Sequence, residues 1–167
     1  LPAPRRPLAG DTTVDVCIVG AGFTGLWTAY YLKKAEPSLS IAVIEREFAG
    51  FGASGRNGGW LSGDVTWSRD KYLSNGTREG VISFERQLRE TVDEVIRVCE
   101  TEGIEADIHR TDCLTYACSP AQMQRMRAAL AEERAWGIGA DRATLIEGPE
   151  ALSRIRIANT QGALVTH

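Results

Sequence analysis

The chain has 167 residues, enough for one domain of ordinary size. A formal net charge of −3, with 25% charged and 43% apolar residues, is ordinary for a globular protein and gives no basic footprint for nucleic acid or an anionic membrane. No apolar run approaches the roughly twenty residues a membrane span needs.

Residues 1–10 hold three prolines and two arginines without an apolar core. They do not read as a signal peptide and are expected to form an extended arm. Asp15-Val16-Cys17-Ile18-Val19 follows, a run that reads as a short buried strand. Gly20-x-Gly22-x-x-Gly25 comes directly after it, and a helix is predicted over residues 24–34. Strand, glycine turn and helix in this order form the dinucleotide fingerprint. Gly20 makes the tight turn, Gly22 lets the backbone reach a pyrophosphate, and Gly25 with Ala29 lets helix and strand pack closely. The helix N-terminus supplies N–H groups and a partial positive charge. A second strand over residues 40–44 ends in Glu45, twenty residues after Gly25, where an acid is expected to hold a ribose. The alternative is a βαβ unit whose glycines serve packing alone. Glu rather than Asp at 45 favours FAD slightly over NAD.

A second glycine cluster, residues 50–59, embeds Ala53, Ser54, Arg56 and Asn57 where a generic NAD domain would continue into helix and strand. Backbone donors and small side chains over this length suit a second stretch of cofactor. A flexible surface loop is the alternative, against which Phe51, Trp60 and Leu61 argue.

The pattern Val81, Phe84, Leu88, Val92, Val95, Cys99 predicts an amphipathic helix from about 79 to 102, stopped by Gly103. Glu85, Arg86, Arg89, Glu90, Asp93, Glu94 and Arg97 fill its other face and are expected to be solvated. Residues 112–118 read as a strand. Ser119 then caps a helix with Pro120 first, Gln122 completing a capping box and Gly137 ending it. Met123 and Met126 are assigned to core. Residues 144–146 read as a short strand, and a short helix is expected from 148 to 155. Cys17, Cys99, Cys113 and Cys118 form no C-x-x-C pair and are expected to be reduced thiols of a cytoplasmic protein. His109 and His167 lack metal-ligand spacing, so no metal site is expected.

The strings Asp15-Val16-Cys17-Ile18-Val19-Gly20-Ala21-Gly22-Phe23-Thr24-Gly25, then Glu45, then Gly52-Ala53-Ser54-Gly55-Arg56-Asn57-Gly58-Gly59 resemble the N-terminal part of the D-amino-acid-oxidase-like FAD-dependent oxidoreductases. The nearest resemblance is to the branch of gamma-glutamylputrescine oxidases, and it is sharp over residues 11–63. It implies that Gly20, Ala21, Gly22, Phe23, Thr24 and Gly25 wrap the FAD pyrophosphate. It implies that Glu45 holds the adenosine ribose, with Arg46 beside the adenine end. Ala53, Ser54, Gly55, Arg56 and Asn57 would run along the pyrophosphate and ribityl chain. Gly58, Gly59, Trp60 and Leu61 would lie toward the flavin ring.

The expected fold is α/β: an FAD/NAD(P)-binding Rossmann-like domain with part of a second, mixed α+β substrate domain. The arm covers 1–10, the first part of the FAD domain 11–78, and a segment leading into the substrate domain 79–167. Leu1 at the start and an apparent strand at the end suggest a truncated piece whose missing remainder completes the site. The leading function is oxidation of a small-molecule amine or amino acid by hydride transfer to flavin, with oxygen or another electron acceptor. An NAD-dependent dehydrogenase and a non-catalytic nucleotide-binding fragment or subunit are the alternatives. The sequence singles out no catalytic residue.

Overall fold

The computed structural model describes residues 5–167. Contacts divide the chain into two compact units, one running through Leu61 and the other comprising Ser62–His167. The fold is mixed α/β, as expected.

In the first unit, β1 (Val16–Val19) and β2 (Ile41–Ile44) pair in parallel, with α1 (Phe23–Ala35) as the crossover. The strands register Val16 on Ile41 through Val19 on Ile44. Their starts are tied by Asp15, whose carboxylate accepts from the Ser40 N–H at 2.7 Å and the Ser40 hydroxyl at 2.6 Å. Beyond α1, the Lys33 ammonium donates to the carbonyls of Pro37 and Leu39, fixing the loop into β2. The expectation of a fully buried first strand is corrected. Val16 and Ile18 are half-buried, while Cys17 and Val19 are exposed. Successive strand side chains face opposite sides, and Ile18 lies on the side against Gly25 of α1.

The second unit holds α2 (Arg69–Leu73), α3 (Arg78–Thr101), β3 (Cys113–Ala117), α4 (Pro120–Ala135), β4 (Ala143–Glu147), α5 (Gly148–Arg154) and β5 (Gly162–Thr166). Its sheet is antiparallel in the order β3-β5-β4. The period-two rule divides its core between the two faces. Ala117, Met123 and Met126 pack with Leu145 and Leu164 on the α4 side, so both methionines are core. Ile146, Ala151, Ala163 and Val165 pack with Leu114 and Tyr116 on the α5 side.

Helix ends follow the local code. Thr77 caps α3, accepting from the Gly80 N–H at 3.1 Å. Gly103 and Gly137 close α3 and α4 in Schellman geometry, with Ile104 donating to the Cys99 carbonyl and Ile138 to that of Glu133. At α4 the Ser119 hydroxyl accepts from the Gln122 N–H. The Gln122 side chain reaches one residue further back than a capping box requires, accepting from the Cys118 N–H at 2.7 Å.

The charged face of α3 is not wholly solvated, which corrects the expectation for Glu85. Glu85 is 3% exposed, and Val98 rather than Cys99 is the most buried residue of the helix. Arg69 of α2 explains the burial. Its guanidinium pairs with Glu85 at 2.5 Å and with Glu133 of α4 at 2.8 Å, and lies 5.1 Å from the centre of the Trp136 ring. Burial disfavours the Arg69 charge, but the hydrogen bonds to Glu133 and Glu85 outweigh it and hold its pKa above the ordinary value. No helix among the described residues is long and apolar enough to cross a membrane.

Candidate cofactor site

The first glycine turn carries β1 into α1. Gly20 has φ +104°, a conformation side-chain-bearing residues rarely adopt, and its N–H donates to the Ile44 carbonyl at 2.7 Å. Gly22 is extended, with φ −83° and ψ −175°, and stands at the N-cap of α1 without any side chain to cap it. A Cβ at Gly25 would overlap the carbonyl oxygen of Gly20 and lie 3.3 Å from Cγ2 of Ile18. Glycine at 25 therefore serves helix–strand packing, as read from the sequence, and also clears the turn itself. The N–H groups of Thr24 and Gly25 fall in the first helical turn, where no intrahelical acceptor exists. They sit at the positive end of a 13-residue helix, the geometry that receives an anion.

The second cluster repeats this turn. Gly50-Phe51-Gly52-Ala53-Ser54-Gly55 has the same G-x-G-x-x-G spacing. Gly50 has φ +81°, and Gly52 is an extended N-cap with φ −75° and ψ −151°. A Cβ at Gly55 would overlap the Gly50 carbonyl oxygen, just as one at Gly25 would overlap that of Gly20. The helix it opens is a single 3₁₀ turn, Ala53–Gly55. Gly50 and Gly52 shape this second turn. Their spacing against Gly55 is the signal that finds them.

Besides the Gly20–Ile44 bond, three hydrogen bonds join the two turns and the end of β2. Glu45 Oε2 accepts from the Ala21 N–H at 2.9 Å. The Ala21 carbonyl accepts from the Gly50 N–H at 2.9 Å. The Ser54 hydroxyl accepts from the Phe23 N–H at 2.9 Å. Ala21 is 5% exposed between these partners. Glu45 Oε1 also accepts from the Glu47 N–H at 3.1 Å. The bond from Ala21, then that from Glu47, lowers the Glu45 pKa below its ordinary value. Two carboxylate oxygens offer about four acceptor positions, so Glu45 keeps capacity for hydroxyl donors.

The remaining candidate residues divide. Asn57 folds onto its own loop, donating to the Ser54 carbonyl at 2.8 Å and accepting from the Gly59 N–H at 2.8 Å. The Arg56 guanidinium lies 4.4 Å from the centre of the Phe51 ring. Gly58 lies beside Trp60. Arg46 pairs with the neighbouring Glu47 and its side chain is 87% exposed. Trp60 and Leu61 are exposed. The docked group thus contains residues 20–25, Glu45 and residues 50–55. First-turn N–H donors, a close-approach glycine and an ionised acceptor with open lone pairs fit a pyrophosphate and a vicinal diol, two parts of a dinucleotide.

Comparison with known proteins extends this reading. A family model described as FAD dependent oxidoreductase (DAO) matches residues 15–167. Gamma-glutamylputrescine oxidoreductase of Escherichia coli is 48% identical over 68 residues, 41% of this chain and 15% of that protein. Sarcosine oxidase subunit beta of Rhodobacter capsulatus is 51% identical over 61 residues, 36% of this chain and 13% of that protein. Thiamine thiazole synthase of Emericella nidulans is also 51% identical, over 51 residues, 30% of this chain and 14% of that protein. The chain therefore spans a small part of the curated relatives it matches. With the match covering nearly all of its length, the chain belongs to the family of FAD-dependent oxidoreductases of the DAO type, whose cofactor is FAD.

Proposed function

We propose that the protein carrying this chain oxidises a small amine or amino acid with FAD, and that residues 20–25, Glu45 and residues 50–59 are its cofactor-binding segment. The observation that carries the reading is the docked pair of glycine turns closed by Glu45. In this reading the N–H groups of Thr24 and Gly25 hold the pyrophosphate at the start of α1. The Glu45 carboxylate accepts from ribose hydroxyls while keeping its bond to Ala21, and Arg46 stands beside the adenine end. Ser54, Arg56 and Asn57 line the path along the pyrophosphate and ribityl chain, and Gly58, Gly59, Trp60 and Leu61 approach the flavin. FAD, when bound, supplies the acceptor for the hydride that leaves the carbon bearing the nitrogen, giving an imine.

The amine or amino-acid class is supported by the names of the Escherichia coli and Rhodobacter capsulatus relatives. A cytoplasmic setting is part of the proposal. Residues 79–167 are proposed to lead from the cofactor domain toward a substrate domain. The test is to purify the full-length protein, extract and identify its cofactor, and screen amines and amino acids for anaerobic bleaching of the flavin band. Bleaching by at least one amine supports the reading. A flavin that no amine or amino acid reduces, but another substrate class does, overturns the substrate class.

A further inference from the structure

We propose that Ser54 is a positioning residue for the pyrophosphate turn: its hydroxyl caps α1 from the second glycine turn, and this bond adds a demand for glycine at position 22 that does not depend on the cofactor. The proposal rests on the reading of this segment as the FAD site.

Helix α1 begins without a local cap. Its N-cap is Gly22, which has no side chain, and no side-chain oxygen of the helix's own start accepts from its first N–H groups. Such a helix leaves its leading donors open. The first of them, the Phe23 N–H, is instead taken by the Ser54 hydroxyl at 2.9 Å, from thirty-one residues further along the chain. An N-cap side chain ordinarily takes an early N–H, the second or third, of its own helix. Here the second turn does it for the first, and the Gly50 N–H bonded to the Ala21 carbonyl holds the same two backbones together.

The space around Gly22 points to the same residue. A Cβ there would meet the Ser54 Oγ at 2.9 Å, with the Ser54 Cβ next at 3.9 Å. The first distance is an overlap, whereas the second is ordinary contact. A methyl group at 22 requires the Ser54 hydroxyl to shift, and that shift strains its bond to Phe23. In the FAD-free protein, then, the nearest obstacle to a side chain at 22 is Ser54. Ser54 and Gly22 form one unit: the glycine makes room for the cap, and the cap fixes the Phe23 peptide so that the adjoining Thr24 and Gly25 N–H groups are aimed before the cofactor arrives. Preorganised donors lose less ordering free energy on binding than free ones.

The experiment is a double-mutant cycle in the full-length protein with Gly22→Ala, Ser54→Ala and the pair, read first in the FAD-free state by urea denaturation and then by FAD titration. Ser54→Ala should lower the folding equilibrium constant about fivefold, the net worth of one hydrogen bond. Gly22→Ala should lower it by at least as much. The double variant should be no worse than Gly22→Ala alone, because both substitutions act on the same bond. Ser54→Thr, which keeps the hydroxyl, should restore FAD affinity toward that of the parent, while Ser54→Ala weakens it severalfold. Losses that simply add in the FAD-free cycle would overturn the proposal, as would equal FAD affinities for the Ala and Thr variants at 54. If the FAD-free form is too unstable to denature cleanly, the same cycle is read through FAD dissociation constants, with the same expected non-additivity. The FAD-free cycle reports on Ser54 without the cofactor, so its failure is distinct from failure of the parent protein to bind FAD, which would overturn the cofactor reading itself.

Discussion

The two glycine turns of the first unit share a spacing and a backbone, yet they begin helices of very different length. Both start with a positive-φ glycine, pass through an extended glycine at the N-cap, and place a third glycine over the carbonyl of the first. The turn at 20–25 opens thirteen residues of α-helix, whereas the turn at 50–55 opens three residues of 3₁₀ helix. The residues beyond each turn account for the difference. After Gly25 come Leu26, Trp27, Thr28 and Ala29, leading on to Leu32, Lys33 and Lys34 near the helix C-terminus, where cations suit the macrodipole. After Gly55 come Arg56, Asn57, Gly58 and Gly59, and Asn57 bonds back to the Ser54 carbonyl and forward to the Gly59 N–H, closing the loop on itself. The G-x-G-x-x-G hexapeptide therefore encodes a turn. Whether that turn presents an anion site depends on the helix beyond it, because the partial charge at an N-terminus needs aligned peptides behind it.

The largest effect should come from Gly25→Ala. Its Cβ would strike backbone at Gly20 as well as approach Ile18, and neither can move without separating α1 from β1. A loss of about 3 kcal/mol, the upper end for overpacking, is expected with loss of FAD from the purified protein. Gly55→Ala makes the same overlap with Gly50 in a segment with little helix to displace. It should cost about 1–2 kcal/mol and weaken FAD binding without unfolding the unit. Equal losses in thermal denaturation for the two variants would show that helix length does not separate the turns.

Glu45→Ala should lower FAD affinity about tenfold or more, since it removes a charged acceptor from ribose and frees the Ala21 N–H. Glu45→Gln, which keeps the shape, should lose less, and calorimetric titration distinguishes the two. The smallest effect is a pH dependence. The Glu45 pKa is held below its ordinary value of 4.5, first by the Ala21 N–H, so this group's contribution is fully present above 4.5 and fades as pH falls through the lowered value. Thermal denaturation across that acidic range should fall less steeply for Glu45→Gln than for the parent. Parallel profiles would assign the acid loss elsewhere, for instance to Asp15, whose pKa the Ser40 hydroxyl also lowers.

Local signals made much of this architecture legible. The β1–α1–β2 unit follows from an apolar run, three glycines at fixed spacing and an acid at the strand end. Gly103, Gly137 and Ser119 end or begin helices because caps are decided within a few residues. The features that escaped were set by partners distant in sequence. Glu85 reads as a solvated charge on α3, but Arg69, sixteen residues before it, pairs with it at 2.5 Å, with Arg89 also 3.9 Å away, and makes its burial tolerable. Cys17 and Val19 read as buried in an apolar strand, but among the described residues the sheet has two strands and side chains alternate between its faces. Within the candidate site, the Ser54 bond to Phe23 spans thirty-one residues, and no pattern in either cluster announces it.

The most direct measurement of the central claim is FAD titration into folded, cofactor-free full-length protein, parent against Gly22→Val. The first turn is assigned to the pyrophosphate, and Gly22 is its close-approach residue at the head of α1. The account predicts stoichiometric binding by the parent and none detectable in the Gly22→Val protein, with circular dichroism confirming that both are folded. Stoichiometric FAD in a folded Gly22→Val protein would contradict it.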